Sequence, residues 1–156
     1  MEEKVQNIDK YDELFMLEAL KEASFAMKAD EVPVGAVIVR DGRVIARGRN
    51  SRETDNLPTS HAEMRAINEA AHKTGHWRLL ECTLYVTMEP CVMCAGAIIN
   101  ARIPRVVFGA YDKRFGAFGS VYSIHEGKLN HTPQITGGVL EPECRKLLQD
   151  FFSRKR

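Results

Sequence analysis

Leu14, Leu17, Leu20 and Met27, with Phe15, Ala19, Ala23 and Ala26 among them, return to one side of a 3.6-residue period. The strict i, i+3, i+7 spacing from Leu14 breaks at Lys21, so the apolar face is broad. This pattern predicts a helix over residues 9–29, with Asp9 or Asp12 as its cap. The period then changes. VPVGAVIVR and DGRVIARG read as two strands joined at Asp41-Gly42, a strong hairpin signal because both turn positions tolerate positive φ. NSRETDNLPTS is polar, contains a proline and reads as a loop. Residues 61–73 are helical in composition, and TLYVTM is a short β-branched and aromatic strand. Residues 91–100 are small and apolar, a buried helix with Pro90 in its first turn, where a missing N–H loses no bond. RVVFG is a further strand, YDKRFGAFGS a glycine-rich basic and aromatic loop, and residues 140–154 a last amphipathic helix.

Strands alternating with helices predict an α/β fold, a central sheet covered by helices on both faces. The length of 156 residues predicts one domain, residues 1–156, with no repeat or linker to divide it. Composition adds little: 44% hydrophobic and 28% charged residues exclude a disordered or fibrous chain. MEEKVQNIDK is acidic and polar where a secretory signal is basic and then apolar. No apolar run reaches the ~18 residues of a membrane span. A cytoplasmic protein without membrane association is expected. Net charge is only +1, yet Arg40, Arg43, Arg47, Arg49 and Arg52 crowd into one short strip and the chain ends SRKR. That clustering fits either a solvated face or a footprint for a phosphate backbone.

Four cysteines are present: Cys82, Cys91, Cys94 and Cys144. In a reducing compartment an even count does not imply disulfides. Cys91 and Cys94 form Cys-x-x-Cys after a strand and at a helix start, a position that suits a redox pair or a metal site. Three residues apart on a helix, their sulfurs share a face, and the helix N-terminus favours both thiolates. His61, also at a predicted helix start, is available as a third ligand. Three protein ligands and an open position describe a catalytic zinc site; a fourth ligand from His72, His76, Cys82, His125 or His131 would make it structural. Glu63 has two readings. Ser60-His61-Ala62-Glu63 fits a capping box, and a carboxylate near such a metal suits proton transfer to and from water. Cys82 and Cys144 read as packing residues, and His72 and His76 as ordinary histidines near Trp77.

His61-Ala62-Glu63 with Pro90-Cys91-Val92-Met93-Cys94 resembles the signature of the zinc-dependent nucleobase deaminases, H-x-E…P-C-x-x-C. VPVGAVIV, the Asn50 segment, LYVTMEPCVMCAGAIINARIPRVVFGAYD, the FGAFGS loop and the DFF end extend the likeness over nearly the whole chain. Through them the chain resembles the bacterial tRNA-specific adenosine deaminases more than the cytidine or guanine deaminases. The resemblance implies a cytidine-deaminase-like three-layer α/β/α sandwich and hydrolysis of wobble adenosine to inosine. It implies Zn2+ held by His61, Cys91 and Cys94, one ion per subunit, with Glu63 moving protons. It implies that Asn50 contacts the target nucleoside, and that Asp112, Phe151, Phe152 and the basic end lie near the tRNA anticodon stem-loop. It also implies a homodimer. Phe115, Phe118 and Tyr122 are further candidates to stack on splayed bases. A free-base or nucleoside deaminase of guanine or cytosine type is the rival within the same fold.

Overall fold

The structure is a computed structural model and describes residues 8–155. Residues 1–7, which hold most of the acidic N-terminal segment, and Arg156 of the SRKR end lie outside the described residues. The elements are α1 (Asp12–Lys28), β1 (Gly35–Arg40), β2 (Arg43–Arg49), α2 (Arg52–Asp55), α3 (Ala62–Thr74), β3 (Cys82–Met88), α4 (Val92–Asn100), β4 (Arg105–Ala110), β5 (Gln134–Thr136) and α5 (Glu141–Arg154).

The strands form one sheet in the order β2-β1-β3-β4-β5. β1 runs antiparallel to β2 and β3, whereas β3, β4 and β5 are parallel. Alternation along each strand divides the core into two layers. Ala36 and Ile38 of β1, Leu84 and Val86 of β3, and Val106 and Phe108 of β4 face α3 and α4. Val37 and Val39, Tyr85 and Val107 point the other way, toward α1 and α5. The result is the expected three-layer sandwich with a mixed central sheet. The hairpin forms as expected, with Arg40 opposite Arg43 and with Asp41 and Gly42 at φ of 52° and 73°.

Local expectations were corrected in three places. Leu14 and Leu17 are 59% and 47% exposed; the buried side of α1 is Met16, Ala19, Ala23 and Ala26. Small side chains let the helix backbone lie close on the sheet, so they take the inner face. The cap expectation holds: Asp9 Oδ1 accepts from the Tyr11 N–H at 2.9 Å and the buried Asp12 accepts from the Asp9 N–H at 2.7 Å, a reciprocal pair just before the first regular turn of α1. Pro90 precedes the cap residue Cys91 instead of standing in the first turn of α4, because Cys91 is extended at φ −76°, ψ 177°. The 50–60 loop contains the short helix α2, and β5 was not foreseen, its three residues being too few to show alternation.

Asp12 ties α1 to the sheet. Tyr85 Oη donates to its Oδ1 at 2.8 Å, and Arg105 pairs with both oxygens at 2.8 and 2.7 Å. Burial raises the Asp12 pKa, but the bonds from Arg105 and Tyr85 outweigh it and hold the carboxyl below its ordinary value. Cys82 and Cys144 are buried, as the packing reading expects, and burial pushes the Cys144 thiol up to about 12.

Candidate metal centre and substrate cavity

The N-termini of α3 and α4 meet at the end of the sheet where β2, β3 and β4 finish. His61 is the cap residue of α3 and Cys91 the cap residue of α4. Cys94 lies one turn into α4 and is buried. Close approach of the backbones sets this meeting: a Cβ on Gly48 of β2 would stand 2.2 Å from the Ala62 carbonyl oxygen, so α3 is pressed against the strand.

His61 Nδ1 lies 3.7 Å from Cys91 Sγ and 3.5 Å from Cys94 Sγ. All three ligand atoms lie within 4.8 Å of one another. Tetrahedral zinc, with Zn–N near 2.0–2.1 Å and Zn–S near 2.3 Å, requires an N···S separation of about 3.6 Å. The trio therefore fits such an ion, and its nitrogen and sulfur donors suit zinc better than a hard cation. Among the described residues these three form the one such cluster, with no fourth histidine or cysteine beside them. His72, His76, Cys82, His125 and His131 are not part of it.

Each donor modifies the others. The hydrogen bond from Cys94, then His61, hold the Cys91 thiol down to about 4 against the opposing effect of burial. The same contact and burial push the Cys94 thiol far up. Two thiols this close oppose each other's ionisation, and a divalent cation between them would favour both thiolates. The hydrogen bond to Cys91 raises His61, with Glu63 adding to the effect.

Glu63 is not part of a capping box. The α3 cap makes no side-chain hydrogen bond, and the Ser60 hydroxyl is engaged by Asp55. The Glu63 carboxyl is buried beside the trio and meets the Cys94 thiol. Burial pushes it up to about 7, against the lowering effects of its own backbone N–H and of His61. A carboxyl with that affinity takes up and releases a proton near neutral pH.

The trio opens into a cavity of about 1000 Å³. Asn50 and Arg52 line it, as do Asp112, Arg114, Phe115 and Tyr122. Asn50 is held rather than free: its Nδ2 donates to the Val32 carbonyl at 3.2 Å, and its Oδ1 accepts from Arg52 N–H at 3.3 Å. Asp112 Oδ1 accepts from the N–H groups of Arg114 and Phe115 at 2.9 and 3.1 Å, so this side chain also shapes its own loop. Phe152 lines the cavity at 48% exposure; its neighbour Phe151 is 7% exposed and packs inward, the rings meeting edge to face. Phe118 is buried in the core and does not line the cavity.

The arginine strip is divided by the fold. Arg47 pairs with Glu18 at 2.7 Å and Glu22 at 3.6 Å, and Arg49 pairs with Glu22 at 3.8 Å while lying over the Phe25 ring. Of the five arginines only Arg52 lines the cavity. Lys155 reaches it from the C-terminal end, paired with Asp30 at 2.7 Å. Sequence reasoning missed Arg52 and Lys155 individually, and it missed two buried acids, Glu31 and Glu89, entirely. Both Glu31 oxygens accept backbone N–H bonds, from Glu53 and Thr54 at 3.0 Å each, and so hold the start of α2 beside Asn50. No local pattern marks such acids, because their donors come from distant segments.

A buried proton-exchanging acid beside an imidazole and two thiols is the equipment of a hydrolytic deaminase, and the chain belongs to the MafB19-like deaminases, whose pattern matches residues 10–156. Within that class its near relatives are tRNA-specific adenosine deaminases. The one from Streptococcus pyogenes is 51% identical over 143 residues, covering 91% of this chain and 90% of that protein. The one from Bacillus subtilis is 49% identical over 146 residues, covering 93% and 91%. A solved structure from work on A-to-I editing by tRNA deaminases at the wobble position is 45% identical with a TM-score of 0.84. It covers 86% of this chain and 99% of that one.

Proposed function

We propose that this deaminase converts the wobble adenosine of a tRNA anticodon stem-loop to inosine, using one zinc ion held by His61, Cys91 and Cys94. Glu63 carries the reading: an acid buried beside the ligand trio, in a cavity wide enough for a nucleoside. The near relatives named for tRNA support the substrate, and they disfavour a free guanine or cytosine deaminase.

Zinc, when bound, supplies Lewis acidity that makes water a competent nucleophile near neutral pH. Glu63 takes a proton from the attacking water and delivers it to N1 of the adenine ring. The new bond forms between oxygen and C6. Glu63 then passes the second water proton to the amino group, the C6–N6 bond breaks and ammonia leaves. One water is consumed, inosine is formed, and Glu63 ends in its starting state. Asn50 orients the nucleoside from the cavity wall. Phe152 and the Asp112 loop contact the neighbouring nucleotides, and Phe151 supports Phe152 from behind. Phe115 and Tyr122, exposed at the cavity wall, are available to stack on unstacked loop bases. A wobble base is already largely out of its stack, so little energy is needed to extract it.

Among the described residues no helix is long and apolar enough to cross a membrane. A cytoplasmic homodimer of single-domain subunits completes the proposal. The test is inosine formation in an anticodon stem-loop with adenosine at the wobble position, with free adenosine, cytidine and guanine alongside, each with and without a chelator. Inosine in the stem-loop alone, lost with the chelator, is expected. Turnover of a free base would overturn the substrate.

A further inference from the structure

Glu89 stands between the last residue of β3 and the Pro90-Cys91 pair, and its side chain is 3% exposed. A carboxylate so deeply buried needs partners, and its partners all come from one loop. Oε1 accepts from the Asp112 N–H at 3.1 Å and from the Ser120 hydroxyl. Oε2 accepts from the N–H groups of Phe118 and Ser120, both at 3.1 Å. Two backbone bonds flank these: Glu89 N–H donates to the Ala110 carbonyl at 2.8 Å, and Ala117 N–H donates to the Pro90 carbonyl at 2.9 Å. Between the ends of this network Gly116 passes so close that a Cβ would lie 2.4 Å from the Glu89 carboxylate. The loop has no regular secondary structure between β4 and its short 3-10 turn at Ile124–Glu126, so these bonds stand where a sheet ladder would.

The loop carries Asp112, Arg114, Phe115 and Tyr122 to the cavity wall, and none of these is one of the three candidate ligands. We infer that Glu89 is a positioning residue: it pins the 112–120 loop to the segment bearing Cys91, and so forms the wall on which the substrate RNA is held. This rests on the proposed RNA substrate for its kinetic part alone. The fold of the loop does not depend on that reading.

Glu89→Gln replaces an acceptor by an amide nitrogen facing N–H or O–H donors, at nearly unchanged volume. Gly116→Ala presses on the same carboxylate from the loop side. In both variants hydrogen exchange at the Phe118 and Ser120 amides should quicken by about tenfold, the scale of one lost bond to a charged group. Zinc content should stay at the wild-type level. KM for the anticodon stem-loop should rise by about the same factor with kcat little changed. Unchanged exchange in Glu89→Gln would overturn the assignment, as would loss of zinc, or a fall in kcat at constant KM. An inactive wild-type protein would instead overturn the RNA reading, while the exchange rates still decide whether Glu89 holds the loop.

Discussion

Glu63 enters α3 in its first turn with no helix cap to serve, and its neighbours are the three ligand atoms. Glu63→Ala is therefore expected to leave zinc bound and the fold intact while lowering kcat by at least ~10²-fold, the contribution of a positioned general acid–base. Metal analysis beside a single-turnover assay checks this. If Glu63 were only a helix cap, the variant would keep its activity and lose ~0.5–2 kcal/mol of stability. Cys91→Ala leaves two ligands and should lose the ion. Its melting temperature should then stop responding to added zinc, whereas the wild type gains stability with each increment of free metal. Retention of stoichiometric metal by Cys91→Ala would refute the ligand set. At this scale the candidate ligands were legible because a Cys-x-x-Cys pair and a His-x-Glu pair are local. Glu89 and Glu31 were not, since only the folded chain brings their N–H donors to them.

Between elements, the Asp12–Arg105 pair joins α1 to β4 in a nearly dry setting, with Asp12 fully buried. Its carboxyl titrates below its ordinary value in the folded state, so unfolding takes up protons in acid. Its contribution is complete above the unfolded value near ~3.9 and fades as pH falls through the lower, folded value. Arg105→Met should cost about 3 kcal/mol at pH 7, because it strands a buried carboxylate. The gap from wild type should narrow as pH falls below ~4; urea melts across that range measure it. The C-terminal end of α5 makes a different contribution. Lys155 lies at the cavity wall, and deleting residues 154–156 should weaken stem-loop binding and flatten its dependence on salt. An unchanged slope would mean that the end is only solvated. The order of helices and strands was readable from hydrophobic period, but which side of α1 faces the sheet was not. Leu14 and Leu17 outrank alanine in hydrophobicity, and close packing chose the alanines.

For the molecule as a whole, the proposed homodimer predicts a sedimenting species of twice the 17.6 kDa chain mass, and a monomer at micromolar concentration would refute it. The charge of the chain also takes its meaning at this scale. A strip that reads as five clustered arginines is partly neutralised by Glu18 and Glu22 of α1, leaving Arg52 at the cavity. Sequence by itself determined the layered α/β class, because hydrophobic period is written into consecutive residues, and its short motifs marked His61, Cys91, Cys94 and Glu63 as candidates that the fold brings together. Tertiary structure decided what faces the cavity. It turned Phe152 outward and Phe151 inward, and it held the 112–120 loop on a buried carboxylate that the local sequence does not mark. Those choices depend on donors and surfaces brought together from remote parts of the chain, and no window of neighbouring residues contains them.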